Sequence, residues 1–254
     1  MKGILICGGK GTRLHPLTKT VNKQLMPVYN KPLVHYPLAT LIKAGITEIM
    51  IISGTEHADQ FLLHFGNNDE FANIRFEFAV QKEPGGIAQA LGLARYFVGD
   101  DKCVAILGDN IYEDDFSQAL KDFENQKEGA KVFIKEVPDP QRFGCPEISH
   151  DGTICRIIEK PEIPPSRFCV TGLYMYDNKV WDIIENLKPS GRGELEITDV
   201  NNHYVYGSTM TYETVKGVWI DAGTFDSLLK ANIWAAQKNH VDVSAMIEQL
   251  KDNI

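Results

Sequence analysis

Short apolar runs alternate with amphipathic stretches over the first half of the chain, and this alternation restricts the fold more than any other feature of the sequence. The runs cover residues 3–7, 48–52, 75–80, 103–107 and 131–136, with candidate helices near 33–44, 58–65, 86–97 and 116–124 between them. Strands that alternate with helices of this length build βαβ units and a mostly parallel sheet covered on both faces. The run 103–107 is apolar throughout, as a strand buried on both faces should be. The pattern therefore predicts the α/β class, with a doubly wound, mostly parallel sheet. A chain of 254 residues that is 43% hydrophobic can bury such a core.

Beyond residue 137 the character changes. Pro138, Pro140, Pro146, Pro161, Pro164 and Pro165 fall among short strand-like pieces at 153–158 and 170–176, which predicts a small β-rich lobe beside the main sheet. Helix returns at about 194–206, an apolar run follows at 217–220, and helical pattern continues from 225. With no repeat, low-complexity tract or linker, residues 1–254 read as one domain in three parts: about 1–136, about 137–224, and C-terminal helices over 225–254.

No apolar run approaches the ~20 residues that cross a bilayer, and the stretch after Met1-Lys2 is too short for a signal peptide. A cytoplasmic protein without a membrane partner is expected. Cys7, Cys103, Cys145, Cys155 and Cys169 lack paired metal-ligand spacing and read as buried reduced thiols. The net charge of −8 argues against a nucleic-acid partner. Residues 1–47 nevertheless carry seven basic groups and no acid, which points to a small polyanion bound near the N-terminus.

The first run ends on Gly8-Gly9-Lys10-Gly11-Thr12-Arg13-Leu14. Glycines there bring backbone N–H groups close to phosphate oxygens, and Lys10 and Arg13 add charge-assisted hydrogen bonds, so the loop reads as a triphosphate cradle. It is not a dinucleotide fingerprint, because Leu14 stands where the third glycine belongs and no acid occurs before Glu48. No register satisfies a P-loop either. Asp109, after the run 103–107, would face the same crevice, since ligands of open α/β sheets sit at the carboxyl ends of the strands. A carboxylate facing a triphosphate needs a cation between them, and Mg²⁺ suits one or two carboxylates plus phosphate oxygens. Asp221 ends another apolar run and is the second candidate ligand, with Thr224 as N-cap of the helix that follows. In the lobe, Lys160 is suited to a sugar phosphate and Glu159 to sugar hydroxyls, although a surface Glu-Lys turn is the default reading of that pair alone.

Together these residues resemble the sugar nucleotidyltransferases, most closely the shorter glucose-1-phosphate thymidylyltransferases. The resemblance extends in order over 8–14, 23–27, 81–90, 107–110, 142–144, 159–161, 170–176, 192–199 and 219–224. It implies a Rossmann-like nucleotidyltransferase fold, with residues 1–136 binding nucleotide and 137–224 binding sugar. It implies that Gly8, Gly9, Gly11, Thr12 and Arg13 hold the triphosphate of dTTP or UTP, that Lys23 lies near the reacting phosphates, and that Gln81 and Gly86 read the base. Asp109 and Asp221 would hold Mg²⁺. Gly144, Glu159, Val170 and Thr171 would line the pocket for glucose 1-phosphate, with Lys160 and Arg192 on its phosphate. Arg13, Lys23 and Lys160 are thus the catalytic candidates, in a homotetramer that uses direct displacement. The chain departs from the family pattern at Cys7, Phe143, Cys145-Pro146 and Gly85.

Direct displacement also follows from elementary chemistry. A phosphate monoester has a second pKa of about 6 and is largely dianionic at neutral pH, so it needs no general base. The site must instead align it with the α-phosphorus and supply positive charge to the oxygens of the α-phosphoryl group and of departing pyrophosphate. No catalytic His or Cys is expected. The alternatives are a uridylyl- or cytidylyltransferase and a catalytically silent nucleotide-sugar sensor. Retention of Arg13, Asp109 and Asp221 argues against the sensor. The Gln81 amide can pair with thymine or uracil at two points, but rotation of that amide would suit cytosine, and only neighbouring backbone can forbid it.

Overall fold

The computed structural model describes residues 1–66 and 69–251. Strand β1 (Lys2–Cys7) leads through a loop to the two-residue strands β2 (Pro27–Val28) and β3 (Lys31–Pro32), then to α1 (His35–Lys43), β4 (Glu48–Gly54), α2 (Ala58–Gly66) and β5 (Arg75–Gln81). Next come α3 (Ile87–Gly92), α4 (Arg95–Val98), β6 (Cys103–Leu107), β7 (Asn110–Tyr112), α5 (Ser117–Asn125) and β8 (Ala130–Glu136). The chain continues with β9 (Gly144–Ile148), β10 (Ile154–Glu159), β11 (Phe168–Tyr176), α6 (Val180–Glu185) and α7 (Ile197–Tyr206). It ends with β12 (Met210–Thr214), β13 (Trp219–Asp221), α8 (Phe225–Lys238) and α9 (Val243–Lys251). Residues 252–254 of the expected C-terminal helical part lie outside the described residues.

A seven-stranded sheet in the order β12-β8-β11-β6-β1-β4-β5 forms the body. All its strands are parallel except β11, which runs antiparallel to both neighbours. The expected α/β class and mostly parallel sheet are borne out. Period-two alternation fills both faces: Ile4 and Ile6 pack into one apolar layer with Leu91, Phe97, Ile183 and Val200, while Leu5 and Cys7 pack into the other with Leu38, Phe61 and Leu120. Each such fully buried aliphatic side chain contributes about 1.5–3 kcal/mol. No helix among the described residues is long and apolar enough to cross a membrane.

A third, smaller cluster positions the site. Leu14, Ile111 and Ala222 pack with Leu228, Ala231 and Ala235 of α8. These three residues adjoin Arg13, the Asp109 turn and Asp221, so α8 clamps three separate functional segments against one another. Its N-terminus is fixed by a capping box, in which Thr224 accepts from the Ser227 backbone and Ser227 accepts from the Thr224 backbone.

Several elements differ from the sequence reading. The segment 170–176, grouped with the lobe in sequence, belongs to β11 at the centre of the main sheet, with Leu173 opposite Ile106 of β6. The small antiparallel sheet is the β9–β10 hairpin, tied to α7 by two hydrogen bonds between Asn202 and the Ile157 backbone, at 2.7 and 2.8 Å. The helix expected at 86–97 is broken into α3 and α4, because the turn tightens to i→i−3 bonds at Leu93 and Ala94. Gly92 at the break lets Ile184 of α6 approach, since a Cβ there would stand 3.2 Å from its Cγ2. Edge strand β12, half-exposed and polar, carries no apolar run to reveal it. Four cysteines are buried as expected, whereas Cys155 is exposed.

Candidate active site

Strands β1, β5 and β6 end at one rim of the sheet, and a cleft of about 670 Å³ opens there. Gly8, Gly9, Thr12 and Arg13 line it from the loop after β1, with Gln81 and Gly86 after β5 and Asp109 after β6. Gly144, Glu159, Lys160, Val170, Thr171 and Arg192 form the opposite wall, beside Asp221 of β13. Thus nearly all the residues singled out in sequence face one cavity.

Two of them act indirectly. Gly11 is absent from the lining; its φ of +59° starts the short 3-10 turn Thr12–Leu14, and its carbonyl accepts a 2.8 Å hydrogen bond from Thr18. Lys23 lies beneath the cleft and donates to Asp109 Oδ2. The short turn Lys23–Leu25 that presents it is capped by Asn22, whose side chain accepts from Gln24 N–H at 2.8 Å. By contrast, Arg13 makes no ion pair with any carboxylate among the described residues. Lys10 lines a smaller adjoining cavity of about 220 Å³ with His57 and Lys82.

Sheet register brings the two acids together. Strand β13 pairs antiparallel with β7, placing Asp221 opposite Asn110, and the N–H of Ala222 donates to the Asp109 carbonyl at 2.9 Å. Asn110 orients the site further. Its amide donates to Asp109 Oδ1 at 3.0 Å, while its own oxygen accepts from Gly172 N–H at 3.1 Å and from the Trp219 indole at 2.7 Å. Gly223 permits the closest approach, because a Cβ there would stand 2.7 Å from Asp221 Oδ1 and 2.9 Å from Arg13 Nη2.

The electrostatics of this pair are asymmetric. Burial works to raise the Asp109 pKa, but the Lys23 ammonium and the Asn110 amide outweigh it, and the carboxyl is held below its ordinary range. Asp221 is pushed upward, first by burial and then by the charge of Asp109, with only partial relief from Lys23 and Arg13. Its Oδ1 is buried without a hydrogen-bond partner. Two juxtaposed carboxylates, one with an orphaned oxygen, fit a hard divalent cation that takes its remaining ligands from phosphate and water. Cys7 stays a thiol, its pKa pushed well up by burial and by Asp109, and packs beneath Gly108.

The opposite wall is a charge network. Glu159 Oε1 lies 3.3 Å from Lys160 Nζ and 3.2 Å from Arg192 Nη2, and Thr198 donates to its Oε2 at 2.6 Å. Arg192 is also held by Glu196 at 2.7 Å. Thr171 spends its hydroxyl on the Phe133 carbonyl at 3.0 Å, so it gives the cleft its methyl group and backbone rather than a donor. Arg142, Thr198, Glu196 and Trp219 also line the cleft, and with Asn110 they were given no role in the sequence reading. Each stands inside a segment that carried the resemblance; what sequence lacked was the hydrogen-bond pairing that gives it a task.

At this rim of parallel strands stand a glycine loop, an arginine without an ion pair among the described residues and two adjoining carboxylates, and the chain belongs to the nucleotidyl transferase family, whose model matches residues 2–238. It is 44% identical over 234 residues to a glucose-1-phosphate thymidylyltransferase of Neisseria meningitidis, covering 91% of this chain and 81% of that one. It is 45% identical over 235 residues to the Mycolicibacterium smegmatis enzyme of that name, with the same coverage. Among solved structures, a Bacillus anthracis protein named for the same activity and solved with sucrose superimposes with a TM-score of 0.88, at 49% identity over 92% of this chain and 95% of that one. A UDP-glucose pyrophosphorylase solved with UDP-glucose, 23% identical, shares the fold with a TM-score of 0.82 over 93% of this chain and 98% of that one.

Proposed function

We propose that this chain transfers a thymidylyl group from dTTP to glucose 1-phosphate, releasing pyrophosphate and forming dTDP-glucose. The observation that carries the reading is the convergence of Arg13, Asp109 and Asp221 at the rim of the sheet, opposite a wall bearing Lys160 and Arg192. Relatives named for this reaction over most of their length support the substrate pair.

Asp109 and Asp221 would hold Mg²⁺, which when bound supplies positive charge to the α-phosphoryl and pyrophosphate oxygens. The loop amides of Gly8, Gly9 and Thr12, with Arg13, bind and straighten the triphosphate. Lys23 keeps Asp109 ionised and adds charge beneath the reacting phosphates. Lys160 and Arg192 exchange part of their pairing with Glu159 for the phosphate of the sugar, which arrives already dianionic and attacks in line. Glu159 then faces sugar hydroxyls as an acceptor. A homotetramer is the assembly the resemblance implies, and the same active site serves each copy.

Competition among dTTP, UTP, CTP, ATP and GTP at equal concentration with glucose 1-phosphate tests this reading. dTTP is expected to lead and UTP to follow, since the two differ by a methyl worth only about 1–3 kcal/mol in a fitted pocket, apart from the sugar hydroxyl. CTP or a purine nucleotide leading would overturn it.

A further inference from the structure

We infer that Gln89, seated over the side-chain-free Gly85, is a positioning residue that fixes which atom of the Gln81 amide meets the base and so selects uracil-type over cytosine-type edges. The inference rests on the reading of the cleft as a pyrimidine triphosphate site. Gln81 is buried and lines the cleft, whereas Gln89 lies on α3 behind it. The Gln81 Nε2 donates to the Gly86 carbonyl at 3.0 Å and to Gln89 Oε1 at 2.8 Å, so both of its hydrogens are engaged and its oxygen alone is left for the base, one contact in place of the two expected from sequence. Gln89 Oε1 in turn accepts at 3.1 Å from the backbone N–H of Gly85, which it shares with the Glu83 carbonyl at 2.8 Å.

The backbone thereby sets the polarity of both amides. A backbone N–H only donates, so the Gly85 N–H favours the oxygen of Gln89 over its nitrogen even while it is shared with Glu83; a backbone carbonyl only accepts, so that of Gly86 demands the nitrogen of Gln81. The Gln81 oxygen is left turned to the glycine loop, where a Cβ on Gly8 would stand 2.7 Å from it. An acceptor in that position matches the N3–H of uracil or thymine. Cytosine offers a lone pair at N3 and needs the amide reversed, which would set the Gln81 oxygen against two acceptors at once.

Gly85 makes the arrangement possible. Its φ lies outside the left-handed region, so a side chain there is limited by space alone, and a Cβ would fall 2.2–2.5 Å from the Gln89 amide atoms. A side chain at 85 would have to move the end of Gln89 from this place.

The test is the ratio of kcat/KM for UTP to that for CTP, two triphosphates identical outside the base, measured with glucose 1-phosphate. The unmodified chain favours UTP. Gln89→Leu removes the acceptor and is expected to lower the ratio by about tenfold or more, chiefly through a gain with CTP. Gln89→Glu keeps an acceptor for both donors and holds the ratio near its original value. Damage to the fold alone would lower both rates together and leave the ratio unchanged; that result in Gln89→Leu overturns the role of Gln89. An unmodified chain that turns over neither UTP nor dTTP overturns the reading of the cleft itself.

Discussion

Asp109 and Asp221 are near neighbours in space with opposite electrostatic settings, and the proposed mechanism depends on both. Replacing either by Asn keeps volume but removes one of the two negative charges proposed to hold the cation. Asp109→Asn and Asp221→Asn are each expected to abolish most turnover while circular dichroism stays close to that of the parent chain, with a lower melting temperature for Asp109→Asn because Lys23 loses its buried partner; near-normal rates in both would remove the two-carboxylate metal site. Arg13 lacks a carboxylate partner among the described residues and faces the same cavity, so its charge is available to a developing anion. Arg13→Ala should raise the barrier by about 2.7–4 kcal/mol, the loss seen on removing one preorganised donor to developing charge. Steady-state kinetics decide this: unchanged kcat with only a higher KM for the triphosphate would assign Arg13 to uniform binding instead.

Elements rather than motifs determine how far apart such residues finally lie. The glycine loop, Asp109 and Asp221 were legible because each follows an apolar run, and the carboxyl ends of parallel strands share one rim. The pairing of β13 with β7 was not legible, since register between segments more than a hundred positions apart leaves no local signature. Strand β11 was misplaced for a related reason: its neighbours in sequence are lobe-like, and only long-range pairing inserts it between β6 and β8. The helices α1 and α2 meet through another feature invisible in sequence, a 2.6 Å contact between the Nε2 atoms of His35 and His64. Burial lowers the pKa of both, with His64 lowering His35 further and Glu70 opposing in each case. A histidine whose folded pKa lies below its unfolded value contributes stability above the unfolded value, about 6.5, and loses it as pH falls through the folded one. Thermal melting of the parent chain and of His35→Gln from pH 8 to pH 5 is therefore expected to show a steeper acid-side decline in the parent. Parallel curves would show that the pair carries no pH dependence.

At the scale of the whole molecule, the fold does three jobs with one core. The sheet collects its strand ends at a single rim, the β9–β10 hairpin with α7 supports the opposite wall, and α8 binds the loop, the Asp109 turn and β13 into one cluster. The direction of the Gln81 amide belongs to this scale too, because it is decided by the Gly85 and Gly86 backbone and Gln89 together, and the sequence reading had to leave it open. If these parts serve nucleotidyl transfer, the products are defined in chemistry and in proportion. The direct measurement is product analysis of dTTP and glucose 1-phosphate incubated with the chain and Mg²⁺, by phosphorus NMR and mass spectrometry. Pyrophosphate and dTDP-glucose should appear in equimolar amounts, and chelation of the metal should stop both. Hydrolysis of dTTP without a nucleotide sugar, or no reaction with pyrimidine triphosphates at all, would contradict it.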